Sequence, residues 1–263
     1  MLIIDLSTPI YKMCVVNPQG HTLITYSHSF DPEIPFDDNL NIFISRNGLK
    51  LKNSRLDFSS IAVLYADSGR RDRIAARAAA HSIPTIAIKE YIGDIISTIL
   101  GREVAYHLTI SEAIGEAVKF KAVDLGDMSR GISSIFLGGG ISSFHVYENG
   151  SVTICSPENL LSKEELSDIE NIHLISKEKA DALFLRIADF MDSAFSPSVL
   201  LLSSDILIPD NETSDKIYRK FSLTGRPVPA IYTRENCFPL EYIGIARKAL
   251  LSVIKKHIIS NKA

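Results

Sequence analysis

The chain has 263 residues, 46% hydrophobic and 22% charged, with a formal net charge of −3 and an isoelectric point near 6.2. Such a length builds one large domain or two lobes with a core each, and a weakly acidic chain lacks the general positive field that holds nucleic acid. No apolar run approaches the roughly 18 residues that span a bilayer, and the first one contains Asp5 and has no basic start, unlike a secretory signal.

In chain order, residues 2–6 (LIIDL), 11–16 (YKMCVV) and 21–27 (HTLITYS) read as three short strands, with turn chemistry at Asn17-Pro18-Gln19-Gly20. Residues 37–48 read as a helix with acids in the first turn and Gly48 as its stop. Residues 61–66 (IAVLYA) are a buried strand by their continuous apolar character. The apolar spacing of Ile88, Ile92, Ile95, Ile96 and Leu100 predicts a helix stopped by Gly101. A strand over 103–108 and a helix over 110–125 follow.

The stretch 133–150 (SSIFLGGGISSFHVYENG) reads as strand, three glycines, strand and a turn at Asn149-Gly150, and residues 151–155 continue the hairpin. A glycine run lets the backbone approach a ligand closely, a phosphate above all. Residues 176–195 are the clearest helix, with Ser176 as cap. Phe184, Ile187, Ala188 and Met191 line its inner face, and Glu178, Asp181, Asp189 and Asp192 its outer one. Residues 198–204 are a buried strand, and Pro239 opens a final helix with Glu241 early and Lys255 and Lys256 late, as the helix dipole favours.

Each half thus opens with a meander and ends with alternating helices and strands. This predicts an α/β chain of two lobes facing a central cleft, 1–117 and 118–263, with the last helix, about 239–257, packing back on the first lobe. Three cysteines, Cys14, Cys155 and Cys237, lack metal-ligand spacing and point to a reducing, cytoplasmic compartment.

Meander-first paired lobes describe the actin–hexokinase superfamily, whose lobes are ribonuclease H-like. Within it, the chain resembles the ROK family of bacterial sugar kinases and sugar-responsive repressors. Members carry a strand, a G-T-G-I-G-G-G loop, a strand and an N-G or D-G turn. Residues 137–150 run alongside that pattern without a gap, with Gly138, Gly140, Ile141 and Gly150 matching and Gly139 standing for the threonine. Ser142, Ser143 and Phe144 stand for the later glycines. Residues 103–117 resemble the strand and helix P-V-x-V-E-N-D-A-N-A-A-A-L-G-E-A, anchored at Gly115 and Glu116. The segments from Ser196 to Ile206 and from Leu240 to Leu251 resemble two later family motifs, so the likeness spans most of the chain.

The resemblance implies roles that several residues here are unsuited to fill. A sugar kinase needs a carboxylate to take the proton of the attacking hydroxyl. The match places Leu108 at that position and His107 before it; Glu90 or Glu112 serves only if the register slips. The first phosphate loop, D-I-G-G-T, is Asp5-Leu6-Ser7-Thr8-Pro9. Asp5 matches and is either a holder of a magnesium-bound water or a strand-end carboxylate satisfied by the next turn. Ser7 and Pro9 replace the glycines. The adenosine-side G-G-G is Ser203-Ser204-Asp205, where an acid repels a triphosphate.

Glu158 stands for a sugar-contacting glutamate, while the family's zinc-binding histidine and cysteine cluster have no counterpart, His173 reading as a surface residue. His107 is a further candidate ligand contact, His145 reads as a packing residue, and Arg70, Arg71, Arg73 and Arg77 read as a solvated helix face. With strand one starting at Leu2, no DNA-reading winged helix is expected. The expectation is a degenerate sugar-kinase-like regulator binding a sugar or a protein partner, dimeric as the family often is, with no resident ATP, magnesium or zinc. The alternatives are an active ATP- and magnesium-dependent kinase with drifted motifs and a structural module with a filled cleft.

Overall fold

In the computed structural model, the amino-terminal meander comprises β1 (Leu2–Asp5), β2 (Ile10–Val16) and β3 (Thr22–Ser29). The structure describes residues 1–7, 10–29, 31, 33–54, 56–65, 67, 88–121, 124–137, 141–155, 161–165, 175–204, 211–225, 227–233 and 239–260. The turn between β2 and β3 forms because the Asn17 side chain accepts hydrogen bonds from the backbone N–H groups of Gln19 (3.0 Å) and His21 (2.9 Å). The chain divides into two compact units, Met1–Ala113 with Glu241–Ala263, and Ile114–Leu240.

The first unit is built on a five-stranded sheet in the order β3-β2-β1-β4-β5, with β4 at Ile61–Tyr65 and β5 at Val104–Thr109. β1, β4 and β5 run parallel, while β2 is antiparallel to both of its neighbours, β1 and β3. Alternate residues of β1 and β4 serve opposite faces. Leu2, Ile4, Ile61 and Val63 pack with α1 (Phe36–Asn53) and α2 (Ile88–Leu100). Ile3, Ala62 and Leu64 pack with Tyr242, Ile245 and Ala246 of the last helix, α6 (Leu240–Ser260). A strand buried on both sides has to be apolar throughout, which is why β4 reads as an unbroken run.

Gly48 does not stop α1, contrary to the sequence reading. The helix continues to Asn53, and a Cβ at Gly48 would lie 2.9 Å from the Leu100 side chain. The glycine is there for close helix–helix packing rather than termination. The helix predicted over 110–125 also ends early, as α3 (Ile110–Lys119), with Lys121 in the left-handed region (φ 46°).

The second unit holds a five-stranded sheet in the order β10-β9-β6-β7-β8. Its strands are β6 (Ile132–Leu137), β7 (Ile141–Val146), β8 (Val152–Cys155), β9 (Val199–Ser204) and β10 (Ala230–Thr233). Its core joins Ile135, Leu137, Leu200 and Leu202 to Leu183, Phe184, Ile187 and Met191 of α4 (Lys177–Phe195). The Ser176 side chain caps α4 by accepting from the Lys179 N–H.

Two features escaped the sequence reading: β10, and α5 (Asn211–Ser222). α5 buries only Thr213, Ile217 and Phe221, too thin an apolar stripe to announce a helix. Its presence overturns the outward placement of Asp181, which is buried. Asp181 accepts from Thr213 Oγ1 (2.6 Å), Lys216 Nζ (2.8 Å) and Lys177 Nζ (3.3 Å), tying α4 to α5. Asp192 is buried as well. Among the described residues, no helix is long and apolar enough to cross a membrane.

Candidate ligand site

Ligands of open α/β sheets lie beyond the carboxyl ends of the parallel strands. In the first unit those ends are Asp5 of β1, Asp67 beyond β4, and Thr109 of β5 with the first turn of α3. Asp5 is 0% exposed. Its Oδ1 accepts from the Ser7 N–H (3.0 Å) and hydroxyl (2.5 Å), and its Oδ2 accepts from the Tyr242 hydroxyl (2.7 Å). Ser7 is local and readable from the sequence. Tyr242 comes from α6, 237 residues away, and sequence reasoning missed it. Burial, with the nearby Asp5 charge, holds the Tyr242 phenol well above its ordinary pKa. Its oxygen also accepts from the Cys14 thiol at 3.7 Å.

Asp67, unlike Asp5, is a carboxylate the sequence reading overlooked. It is buried, and accepts from the Ser111 N–H at 3.2 Å and hydroxyl at 2.5 Å. Burial pushes its carboxyl pKa up, with hydrogen bonds from Ser111 and Thr109 pulling the other way. Because Ser111 lies in the first turn of α3, Asp67 satisfies one of the four unpaired N–H groups that a helix start exposes.

Thr109 and Glu112 complete that helix start. The Glu112 carboxylate accepts from the Thr109 N–H (2.8 Å), and Thr109 Oγ1 accepts from the Glu112 N–H (3.3 Å). This is a reciprocal capping box, spelled T-I-S-E in the sequence. Glu112, one of the candidate bases, is therefore engaged by the backbone. Thr109→Ala is expected to lower stability by about 1 kcal/mol, with Thr109→Ser nearly neutral, read as a shift in urea midpoint. A Thr109→Ala protein as stable as the parent would refute the cap.

The remaining candidates separate. Leu108 is 6% exposed and belongs to the apolar layer with Ile3, Leu64, Ala113, Tyr242 and Ile245. His107, half-buried beside it, has Nδ1 2.8 Å from the Tyr65 hydroxyl, and its ring stacks on Tyr65 at 5.9 Å and 17°. Burial pushes the His107 pKa down, and the Lys89 charge adds to the effect. Glu90 is exposed on α2.

In the second unit, β6 and β7 form a hairpin whose last pair is Leu137 with Ile141, so Gly138, Gly139 and Gly140 connect them but lie outside the described residues. Ser203 and Ser204 end β9, in parallel register with Phe136 and Leu137 of β6. Thr8, Glu158, His173, Asp205, Cys237 and the arginines of 68–81 also lie outside the described residues. Gly115 and Gly150, two anchors of the family match, have a mutual packing reason. A Cβ on Gly115 would meet the Gly150 carbonyl oxygen at 2.7 Å, and one on Gly150 would meet the Gly115 oxygen at 2.6 Å. His145 is buried, with Nδ1 3.0 Å from Ser133 Oγ and its ring stacked on Phe195. Phe144 is buried and Tyr147 is exposed. Among the described residues, no three His, Cys, Asp or Glu side chains converge as a metal site.

No family model and no curated protein matches the sequence. The fold, by contrast, is similar to solved structures over most of the chain. An inorganic polyphosphate/ATP-glucomannokinase from Arthrobacter sp. strain KM superposes with a TM-score of 0.62 at 14% identity, covering 96% of this chain and 98% of that one. A ROK hexokinase from Thermus thermophilus gives 0.55 at 16% identity, covering 97% and 100%. A ROK-family transcriptional regulator, a homologue of the Escherichia coli MLC protein, gives 0.54 at 15% identity, covering 94% of this chain and 78% of the regulator. With two mixed five-stranded sheets flanked by helices, this chain has the actin–hexokinase fold of the ROK sugar kinases and of a ROK regulator.

Proposed function

We propose that this protein is a degenerate sugar-kinase-like regulator of the ROK type, which has lost phosphoryl transfer and binds a sugar, or a protein partner in response to one. The observation that carries the reading is the state of the strand-end carboxylates. Asp5 is fully buried under Tyr242 and Ser7, Glu112 is held by a backbone N–H, and an apolar side chain, Leu108, stands where the family match asks for a base. A general base must reach the proton it removes, and its loss costs on the order of 100- to 10,000-fold in rate.

These donors do not fit a resident magnesium nucleotide. Magnesium bound through a carboxylate keeps several waters in a strict octahedron, and the Asp5 oxygens face a phenol and a serine instead. No step is therefore assigned to ATP or magnesium, and zinc and nucleic acid have no role in this reading.

A coupled phosphotransfer assay over hexoses and N-acetylated amino sugars, with ATP as donor, is expected to stay at background; sustained turnover would overturn the proposal. A thermal shift with the same sugars separates a sensor from an inert scaffold, because a ligand at 100 times its Kd adds roughly 2.7 kcal/mol of stability. One observation favours a second reading. Asp67 is a buried carboxylate with raised proton affinity beyond a parallel strand end, the environment in which catalytic carboxylates are tuned. Should turnover appear, Asp67→Asn is the variant that abolishes it if this group is the base.

A further inference from the structure

Surface helices of soluble proteins ordinarily interleave acids and bases. α1 does so with Asp37, Asp38, Arg46 and Lys50, and α4 with Glu178, Lys179, Arg186 and Asp189. α6 does not. After Glu241 it carries Arg247, Lys248, Lys255 and Lys256 and no aspartate or glutamate, in a chain whose net charge is −3. The helix dipole favours cations within the last turn only. Arg247 and Lys248 lie about three turns before Ser260, beyond its reach.

The same helix outruns the sheet it packs on. Tyr242, Ala246 and Ala249 are buried along one stripe, and Val253, the next position of that stripe, is 60% exposed. From there every described side chain of the helix is exposed: Val253, Ile254, Lys255 and Ile258. Leu250, Ile254 and Ile258, spaced by four, stand one above another, with Leu250 half-buried. Lys248 and Lys255, spaced by seven, share a stripe beside them.

We propose that residues 250–260 of α6 are a docking surface for an anionic lipid bilayer. The helix end lies in the headgroup plane, with Leu250, Ile254 and Ile258 facing the acyl chains and the neighbouring basic residues facing lipid phosphates. This is adsorption without spanning. Residues 253–260 make about 12 Å of helix, against a hydrocarbon core of about 30 Å, and an interfacial helix needs only its apolar face buried by about 5–10 Å. The one-signed charge decides the occupant. A protein groove that covered the aliphatic stripe would have to supply acids in register with the lysines beside it. A bilayer supplies phosphates at every rotation about its normal, and lysine stems snorkel to them. A nucleic acid would satisfy the lysines and leave the aliphatic stripe in water.

Flotation of the full chain with phosphatidylcholine vesicles containing about 30% phosphatidylserine is expected to recover it with the lipid, with little recovered on phosphatidylcholine alone. The bound share is expected to fall as salt rises from about 50 to about 300 mM. Ile254→Glu/Ile258→Glu is expected to weaken binding about tenfold or more, and Lys255→Glu by a smaller factor. Leu223→Glu, on a residue 88% exposed in the other unit, is expected to leave binding unchanged. All these positions are exposed, so the variants are expected to keep the parent's far-ultraviolet spectrum. In the parent, amide hydrogen exchange over 250–260 is expected to slow with the anionic vesicles and not with the neutral ones, a readout that needs no variant. No flotation with anionic vesicles, equal flotation with neutral ones, an Ile254→Glu/Ile258→Glu protein that floats like the parent, or unaltered exchange would each overturn the proposal. Equal binding of parent and double variant to polyuridylate, with no flotation, would assign the lysines to a nucleic acid instead.

Discussion

Leu108→Asp is expected to lower stability by about 4 kcal/mol or more and to bring no phosphotransfer with it. The substitution restores, on paper, the carboxylate that the family match lacks. In the folded chain the position is not an open catalytic ledge. Its side chain lies in the apolar layer that joins β1, β2, β4 and β5 to Tyr242, Ile245 and Ala246 of α6. Truncating a buried leucine alone costs about 2–5 kcal/mol, and an unpaired charge in such a layer adds several more or forces the carboxyl to stay protonated. Leu108→Ala is expected to fall within that range of about 2–5 kcal/mol and Leu108→Met below about 1.5 kcal/mol, so urea denaturation of the three variants ranks packing against charge. A Leu108→Asp variant with parental stability and sugar-dependent ATP turnover would show that the site lost only its base, and would refute the reading that its remaining groups no longer fit a magnesium nucleotide.

Acid is expected to weaken the protein through His145 well above the pH at which most carboxylates protonate. Burial drives the His145 pKa down from 6.5 to about 4, consistent with a ring sealed between Phe195 (4.5 Å, 3°) and Tyr147 (4.6 Å, 81°). The folded ring therefore stays neutral while the unfolded chain takes up a proton near its ordinary pKa of 6.5. Its contribution is fully present above 6.5 and is lost as pH falls from 6.5 toward 4. At roughly 1.4 kcal/mol per pH unit, the loss by about pH 5 is about 2 kcal/mol. Urea midpoints measured from about pH 7 to about pH 5 on the parent and on His145→Gln test this. The variant starts less stable, through the lost ring stacking, but has a flatter slope. Parallel slopes would remove His145 as the cause.

Much of the framework was legible because it follows from local rules. The meander at Asn17–Gly20, the α4 cap at Ser176 and the stop at Gly101 are each written within a few residues of where they act. Other marks were ambiguous for a physical reason. Glycine at position 48 carries the same letter whether it ends a helix or admits a neighbouring one, and only Leu100, 2.9 Å from its would-be Cβ, decides which. Asp181 looks like a solvent-facing acid until α5 brings Thr213 and Lys216 to it. The T-I-S-E capping box was readable at the start of α3, and reading it would have removed Glu112 from the candidate bases in advance.

By itself the sequence determined the alternation of strands and helices apart from α5 and β10, the hairpin around the glycine run and the likeness to ROK proteins, since all of these rest on periodicity, turn chemistry and motif order along the chain. The tertiary structure alone decided what the strand-end groups can do. Tyr242 reaches Asp5 across 237 positions, Ser111 reaches Asp67 across 44, and Leu108 is claimed by a core whose other half is the last helix. Whether a carboxylate is open or already satisfied depends on which donors share its few ångströms of space, and chain folding sets that neighbourhood from distant segments.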